Sequence, residues 1–194
     1  WLPADTPRDR GPVSLRPGDL VEWRVMVGAV TLFLYSLSYG GITSFVAVYA
    51  DQMGVTPRAL YFTVFALTIV ATRPFIARHA DRVGHARVIV PCLGLIVIGV
   101  ALLSMAATRA GFIVSAILFG VGFGSAYPIF VAHLMHHVAD HRRVATFGAL
   151  IGAFDIGIGT GSIGLGWVSE HYGFPRAYAL AAAACSGLLA YYLA

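Results

Sequence analysis

Two ionisable residues of this 194-residue sequence sit deep within apolar runs, and their position is what could give them chemistry. Asp155 lies eleven residues past Val144 in an otherwise uncharged stretch, about 16 Å along a helix that rises ~1.5 Å per residue. If that helix crosses a bilayer, the carboxylate is near the midplane, where an ionised acid costs roughly 2.5–3.5 kcal/mol. Such a group needs a proton, a polar partner or a wet cavity. It can then couple to protons or touch a substrate; otherwise it is a structural Asp bonded to Ser, Thr or backbone of a neighbouring helix. Arg73 lies about 7–8 Å inside the boundary of its own run. It either snorkels to the interface or faces a cavity, binding an anionic group or neutralising Asp155, from which its depth differs by about 9 Å. Tyr35, Ser38, Tyr39 and Thr43 follow at i, i+3, i+4 and i+8, one face of a helix. Aligned hydroxyls suit either a wet cavity or hydrogen bonding between helices. Tyr127, beside Pro128, is a further candidate of this kind.

The elements that must position these residues are membrane spans. The chain is 58% hydrophobic and 11% charged, where a soluble domain carries about 25% charged residues. Residues 1–24 hold four prolines, four Arg and four acids and read as a cytoplasmic linker. Six apolar runs follow, at about 25–50, 59–77, 88–108, 110–134, 144–168 and 177–194. Each is close to the ~20 helical residues that cross a hydrocarbon core, and helices satisfy their own backbone groups in lipid. The expected fold is therefore an all-α integral membrane domain of six transmembrane helices over 25–194, with the lipid bilayer as its solvent.

Charge sets the orientation. All thirteen basic residues are Arg. With the N-terminus inside, Arg8, Arg10, Arg16, Arg24, Arg78, Arg82, Arg87, Arg142 and Arg143 are cytoplasmic, and Arg58, Arg109 and Arg176 are outside. Both termini are then cytoplasmic. The net charge of +4 is topological and calls for no nucleic acid. Trp23, Tyr49, Tyr61, Trp167 and Tyr172 fall where interfacial aromatic belts are expected. Cys92 and Cys185 lie inside apolar runs and read as small buried hydrophobes.

The tight turn between the second and third runs contains Asp81-x-x-Gly84-x-x-Arg87. Glu170-x-x-Gly173-x-x-Arg176 recurs at the same interval between the fifth and sixth. Three spans make one unit, so the second unit is inverted, and inverted three-helix repeats characterise secondary transporters. The pairs Gly120/Gly124, Gly148/Gly152 and Gly157/Gly161 have small-xxx-small spacing, which suits close helix packing. Gly40-Gly41 is expected to weaken the first span, and Pro74 to bend the second at Arg73. His133, His136, His137 and His141 share a helical face with the i, i+4 spacing of zinc ligands. Without Cys, and with Asp140 the only nearby carboxylate, they read as polar interface; no metal and no cofactor are expected.

These residues resemble the major facilitator superfamily. Ala77-x-x-x-Asp81-Arg82-x-Gly84-x-x-Arg87 is similar to its loop motif G-x-x-x-D-R-x-G-x-x-R. Gly120–Pro128 (GVGFGSAYP) and 154–162 (FDIGIGTGS) look like the fourth and fifth helices of its C-terminal halves. The resemblance implies one half of a twelve-helix fold, with a partnering N-terminal six-helix half outside this chain, in the manner of bacterial efflux and small-metabolite permeases of the inner (plasma) membrane. It also implies that Asp81, Arg82, Gly84 and Arg87 form a latch on the cytoplasmic side, and that the first helix lines the cavity. Ala77 stands where the motif has Gly, and His85-Ala86 replace the usual basic pair. The function expected is secondary active transport of a small-molecule substrate by alternating access, as a proton-coupled exporter (antiporter) or, alternatively, a proton-coupled importer of a sugar or metabolite. No enzyme activity is expected. An intramembrane serine enzyme would need a His base beside Ser125 or Ser162, and a stand-alone six-helix protein would leave the leading linker unexplained.

Overall fold

The computed structural model describes residues 23–136, 138 and 143–193. Six helices follow one another: α1 (Trp23–Gln52), α2 (Leu60–Val83), α3 (His85–Ser104), α4 (Arg109–His136), α5 (Arg143–Tyr172) and α6 (Phe174–Leu193). Residues 1–22, with most of the expected linker, lie outside the described residues. Five helices are long and apolar enough to cross a membrane: Ala29–Gln52, Leu60–Ala80, Arg87–Ser104, Arg109–Ala132 and Arg143–Tyr172. The sixth expected span is an α-helix, but alanines, tyrosines and Arg176 leave it short of that apolarity.

The helices run past the apolar stretches that announce them. α2 continues through Pro74 to Val83, so the charged island after Arg73 is mostly helix. The connection to α3 is Gly84 alone, at φ +96°, a conformation that L side chains seldom adopt. Gly173 makes the same single-residue turn between α5 and α6 at φ +82°. Gly40-Gly41 does not interrupt α1 either.

What those two glycines do is admit α5. A methyl group at Gly40 would fall on the Ile158 carbonyl, and one at Gly157 or Gly161 on the Phe33 or Leu37 backbone. The two helices thus touch backbone to backbone, the close approach that small residues permit in a membrane. Ser162 Oγ bridges the seam to the Gly40 carbonyl at 3.0 Å, and Ser44 Oγ donates to Ser162 Oγ at 2.9 Å. Gly120 and Gly124 admit the Thr68 and Ile69 side chains of α2 onto α4. Gly148 and Gly152, expected to do likewise, have no neighbour within 4 Å.

The result is two tight pairs, α1 with α5 and α4 with α2, backed by α3 and α6. α3 packs on α4 and α6, and α6 also reaches α1 and α5, whereas α2 and α5 make no extended contact with each other. The four front helices therefore leave a cleft open between α2 and α5. Only 6% of the apolar window of α2 and 22% of that of α5 is buried, against 50% for α1 and 56% for α4. Leu67, Val70 and Phe75 on α2 and Ile156 and Ile163 on α5 are exposed.

Two aromatic positions differ from expectation. Tyr49 and Tyr61 lie near helix ends but point inward, each 1% exposed. Tyr49 Oη donates to the Ala106 carbonyl at 2.9 Å, and Tyr61 Oη lies 3.4 Å from Ser115 Oγ. A buried backbone carbonyl at the end of α3 outcompetes the interface as a partner for the phenol. Trp167 and Tyr172 are exposed, at 57% and 54%. In the α1–α2 connection, Arg58 grips Asp51 through two hydrogen bonds of 2.8 and 3.0 Å.

The seam predicts a sharp position dependence. Gly161→Val should destabilise the bundle by about 3 kcal/mol through overpacking, seen as a lowered melting temperature in detergent. Gly94→Ala, where nothing lies within 4 Å, should stay within about 0.5 kcal/mol of the parent.

Candidate functional site

The cleft is filled by rings. On α4, Phe119, Phe123 and Tyr127 repeat at i, i+4 and i+8, and on α1 Tyr35 and Tyr39 do so at i and i+4. Two turns of each helix therefore present a flat aromatic stripe to the other. Phe123 is the centre. Tyr35 stacks on it with ring centroids 4.5 Å apart and planes 7° apart, Tyr39 at 4.2 Å and 16°, and Phe119 at 5.2 Å and 18°. Phe65 of α2 closes one flank, 5.7 Å from Phe119 and 6.1 Å from Tyr39. Phe154 of α5 closes the other, 5.0 Å from Tyr127 and 6.4 Å from both Tyr35 and Tyr39. Contacts of this kind contribute about 0.5–1.5 kcal/mol each beyond area burial. Phe119 and Tyr35 are fully enclosed, while Tyr39, Phe65, Tyr127 and Phe154 are half-buried and form the rim.

Three hydroxyls of the α1 row, those of Tyr35, Ser38 and Thr43, bond to backbone carbonyls. Tyr35 is 3% exposed and donates to the Phe123 carbonyl at 2.5 Å. Ser38, 1% exposed, donates to the Tyr35 carbonyl at 3.2 Å. Thr43 Oγ1 reaches the Tyr39 carbonyl at 2.9 Å and that of Gly40 at 3.0 Å. Short hydroxyls on a helix find their own backbone readily; of this row Tyr35 ties α1 to α4, and Ser38 also meets the Cys185 thiol of α6. The hollow beside it, lined by Thr31, Leu32, Ile89, Leu93, Ala126, Tyr127 and Phe130, is apolar apart from the Tyr and Thr hydroxyls.

Asp155 is exposed, next in sequence to Phe154 and about 100° round α5 from it. It lies about 18 Å along the helix from Arg143 and about 26 Å from Tyr172. No structural hydrogen bond ties it to Ser, Thr or backbone within the described residues. Arg73 is exposed on α2, two turns or about 12 Å beyond Phe65. It forms no ion pair with Asp155; among the described residues the pair at Asp51 and Arg58 is the one that forms. Tyr35, Tyr39 and Tyr127 are thus brought together round Phe123 and Phe154, while Asp155 and Arg73 are exposed on α5 and α2.

At the α2–α3 turn, Arg82 and Arg87 are exposed and Gly84 makes the turn. The side chain of Asp81, like those of His85, His133 and His136, lies outside those described, as do His137, Asp140, His141 and Arg142 entirely. Among the described residues, no base partners the serines considered as nucleophiles. Ser162 Oγ is spent on the Gly40 and Ile158 carbonyls, and Ser125 Oγ is buried without a partner.

The residues that sequence reasoning passed over are Phe65, Phe119, Phe123 and Phe154. The signal was present in the i, i+4, i+8 stripe of α4, which matches the spacing that singled out the hydroxyls of α1.

Comparison with known proteins bears on what this cleft is for. The family model described as Major Facilitator Superfamily matches residues 18–194. An uncharacterized MFS-type transporter of Pseudomonas aeruginosa (strain LESB58) is 28% identical over 184 residues, 92% of this chain and 46% of that one. The staphylopine export protein of Staphylococcus aureus is 26% identical over 154 residues, 77% of this chain and 38% of its own. YhhS, an uncharacterized MFS-type transporter of Salmonella enteritidis, is 26% identical over 178 residues, 89% of this chain and 44% of its own. The chain spans about half the length of these relatives, or less. Relatives of this kind are transporters, not enzymes.

Tyr35→Phe should cost about 1 kcal/mol by removing the hydroxyl bond that joins α1 to α4, measured as a lower unfolding midpoint. Thr43→Val should cost less than about 0.5 kcal/mol, because its bonds are within α1.

Proposed function

The chain belongs to the major facilitator superfamily, and on that premise we propose that it is one six-helix half of a secondary transporter exporting a small molecule against the proton gradient. The observation that carries this reading is the cleft. Four membrane-length helices enclose an aromatic surface on three sides, and the fourth side, between α2 and α5, is open. A second six-helix bundle, in the part of the relatives that this chain does not span, would close it. The exposed apolar faces of α2 and α5 are the surfaces on which that bundle would rock, so that the cleft opens to one side of the membrane at a time.

Two inverted three-helix repeats are part of the proposal. The helix pairing supports them: α1 packs on α5 as α4 packs on α2, and α3 on α4 as α6 on α1. So do the paired turns, each a single glycine at positive φ, at Gly84 and Gly173. Export is favoured over uptake by the staphylopine export protein among the relatives. Proton coupling is assigned to Asp155, the acid farthest from any helix end among residues 25–194, where lipid and a closing partner bundle raise the cost of its charge. Tyr39 and Tyr127 contact the substrate, Tyr35 and Ser38 hold the wall behind them, and Thr43 stiffens α1. Arg73 is the basic end of the path. Asp81, Arg82, Gly84 and Arg87 form the cytoplasmic latch, and the protein sits in the inner membrane with both termini inside.

In proteoliposomes holding the intact protein, Asp155→Asn should abolish the dependence of export on the imposed proton gradient while leaving passive exchange of substrate. Undiminished gradient dependence would remove this role from Asp155. In intact cells, a membrane-impermeant maleimide should label Arg58→Cys and leave Arg87→Cys unlabelled until the membrane is opened. The reverse pattern would invert the orientation.

A further inference from the structure

The charged end of α2 has two unlike faces. Ile76, Ala80 and Val83, at i, i+4 and i+7, pack against the core, with Ala80 1% exposed. Phe75, Arg78, His79 and Arg82, at i, i+3, i+4 and i+7, are all exposed, Phe75 at 71%. These four fall within an arc of about 100°, so the bare flank carries one ring, three basic groups and no acid. Among the described residues Arg78 and Arg82 have no ion-pair partner; the pair that forms is Arg58 with Asp51, at the other end of the span. Arg73 does not belong to the stripe, because five residues turn it about 140° from Arg78.

Depth separates the ring from the charges. The apolar part of α2 covers 21 residues from Leu60 to Ala80, about 31 Å of helix, close to the ~30 Å of a hydrocarbon core. With that stretch in the core, Phe75 lies about 7 Å inside its end, at the level of acyl chains. Arg78 lies about 3 Å inside and Arg82 about 3 Å beyond. A long arginine stem carries its guanidinium out to the interface, so both charges reach the level of the phosphates. The two residues are one turn apart, with Cβ atoms about 5–6 Å from each other. Guanidiniums at that spacing can share the two unesterified oxygens of one phosphodiester, and His79 beside them can add an N–H. A protein acid would have to be brought to this height by another surface, whereas a bilayer supplies phosphodiesters there all round the helix.

We propose that this flank of α2 is a binding site for an anionic phospholipid. Arg78 and Arg82 hold its phosphodiester, His79 donates to its headgroup, and one acyl chain lies along Phe75. A zwitterionic lipid offers the same phosphate with its own ammonium beside it, which the arginines repel, and is the poorer ligand. Arg82 also ends α2, where a cation suits the helix dipole, so Arg78 carries the test. The inference asks only that α2 spans the bilayer and holds for either direction of transport.

The test uses the intact protein carrying Phe75→Trp, reconstituted in phosphatidylcholine bilayers. It follows the emission gained over the parent as lipids brominated on their acyl chains quench it on contact. At equal mole fraction, brominated phosphatidylglycerol should occupy the site at least about fivefold more than brominated phosphatidylcholine. Arg78→Gln should lower that preference about fivefold, and Arg78→Lys, which keeps the charge, should hold it within about threefold. Ile98→Trp, on an exposed part of α3 with no such stripe, should be quenched equally by the two lipids. If Arg78→Gln does not fold, Arg82→Gln is read in the same way. Equal quenching of Phe75→Trp by both lipids, or a preference that survives the loss of the arginine, would overturn the proposal. So would emission that neither lipid quenches, which would put a protein surface over this flank instead.

Discussion

Much of this bundle depends on how closely two backbones can approach where α1 crosses α5. In lipid, apolar side chains gain little by leaving one hydrocarbon for another, so helices associate through contact and hydrogen bonds. Gly40, Gly157 and Gly161 bring the helix axes near enough for main-chain atoms to touch. The contact brings Phe154 across the cleft to Tyr35 and Tyr39. It also brings the Ser162 hydroxyl to the Gly40 carbonyl. Widening the seam by one methyl group would move α5 and the carboxylate it carries away from the rings on α4.

The second constraint is the opposite one, a deliberate lack of contact. α2 and α5 each grip one inner helix and leave most of their own surface bare. An isolated membrane bundle would bury its aromatic residues and turn aliphatic surface outward. Here Tyr39, Phe65, Tyr127 and Phe154 stay partly bare, beside helices whose own apolar faces are bare. Packing on the back, where α3 and α6 meet, is by contrast close and apolar, with Cys92, Ile96, Val100 and Tyr178 all buried. On the transporter reading proposed above, a closed rear and an open front suit a cavity that opens to one side at a time.

Much of this was legible in the residues. Run length and Arg placement marked six helices in nearly the right places, because lipid imposes length and charge rules that a single sequence can express. The glycine pairs on α4 and at Gly157/Gly161 announced close packing, yet Gly148/Gly152 had the same spacing and faces nothing. Spacing shows which positions share a face, not what that face meets. The same limit explains the α1 hydroxyls. Ser38 and Thr43 share a face with Tyr35, but a short hydroxyl can close on its own helix, and only the longer phenol spans the gap to α4. The aromatic ladder was missed for a different reason. Its seven rings come from four helices, and no local pattern records that Phe65, Phe123 and Phe154 converge. Hydropathy also underran at α2, where Arg78 and Arg82 are carried on helix rather than loop.

The single-residue turns at Gly84 and Gly173 carry a mechanical implication. A loop of several residues, such as the one between Gln52 and Leu60, lets its two helices slide independently. One residue does not. α2 and α3 are joined almost as a rigid elbow, as are α5 and α6. α2 and α5 border the open front, whereas α3 and α6 form the rear wall. Any tilt of a front helix is therefore levered through its elbow into the helix behind it, and the lipid-facing wall must turn with the cleft. On the transporter reading proposed above, the thickness and stiffness of the surrounding bilayer then become part of the load against which the cleft would open.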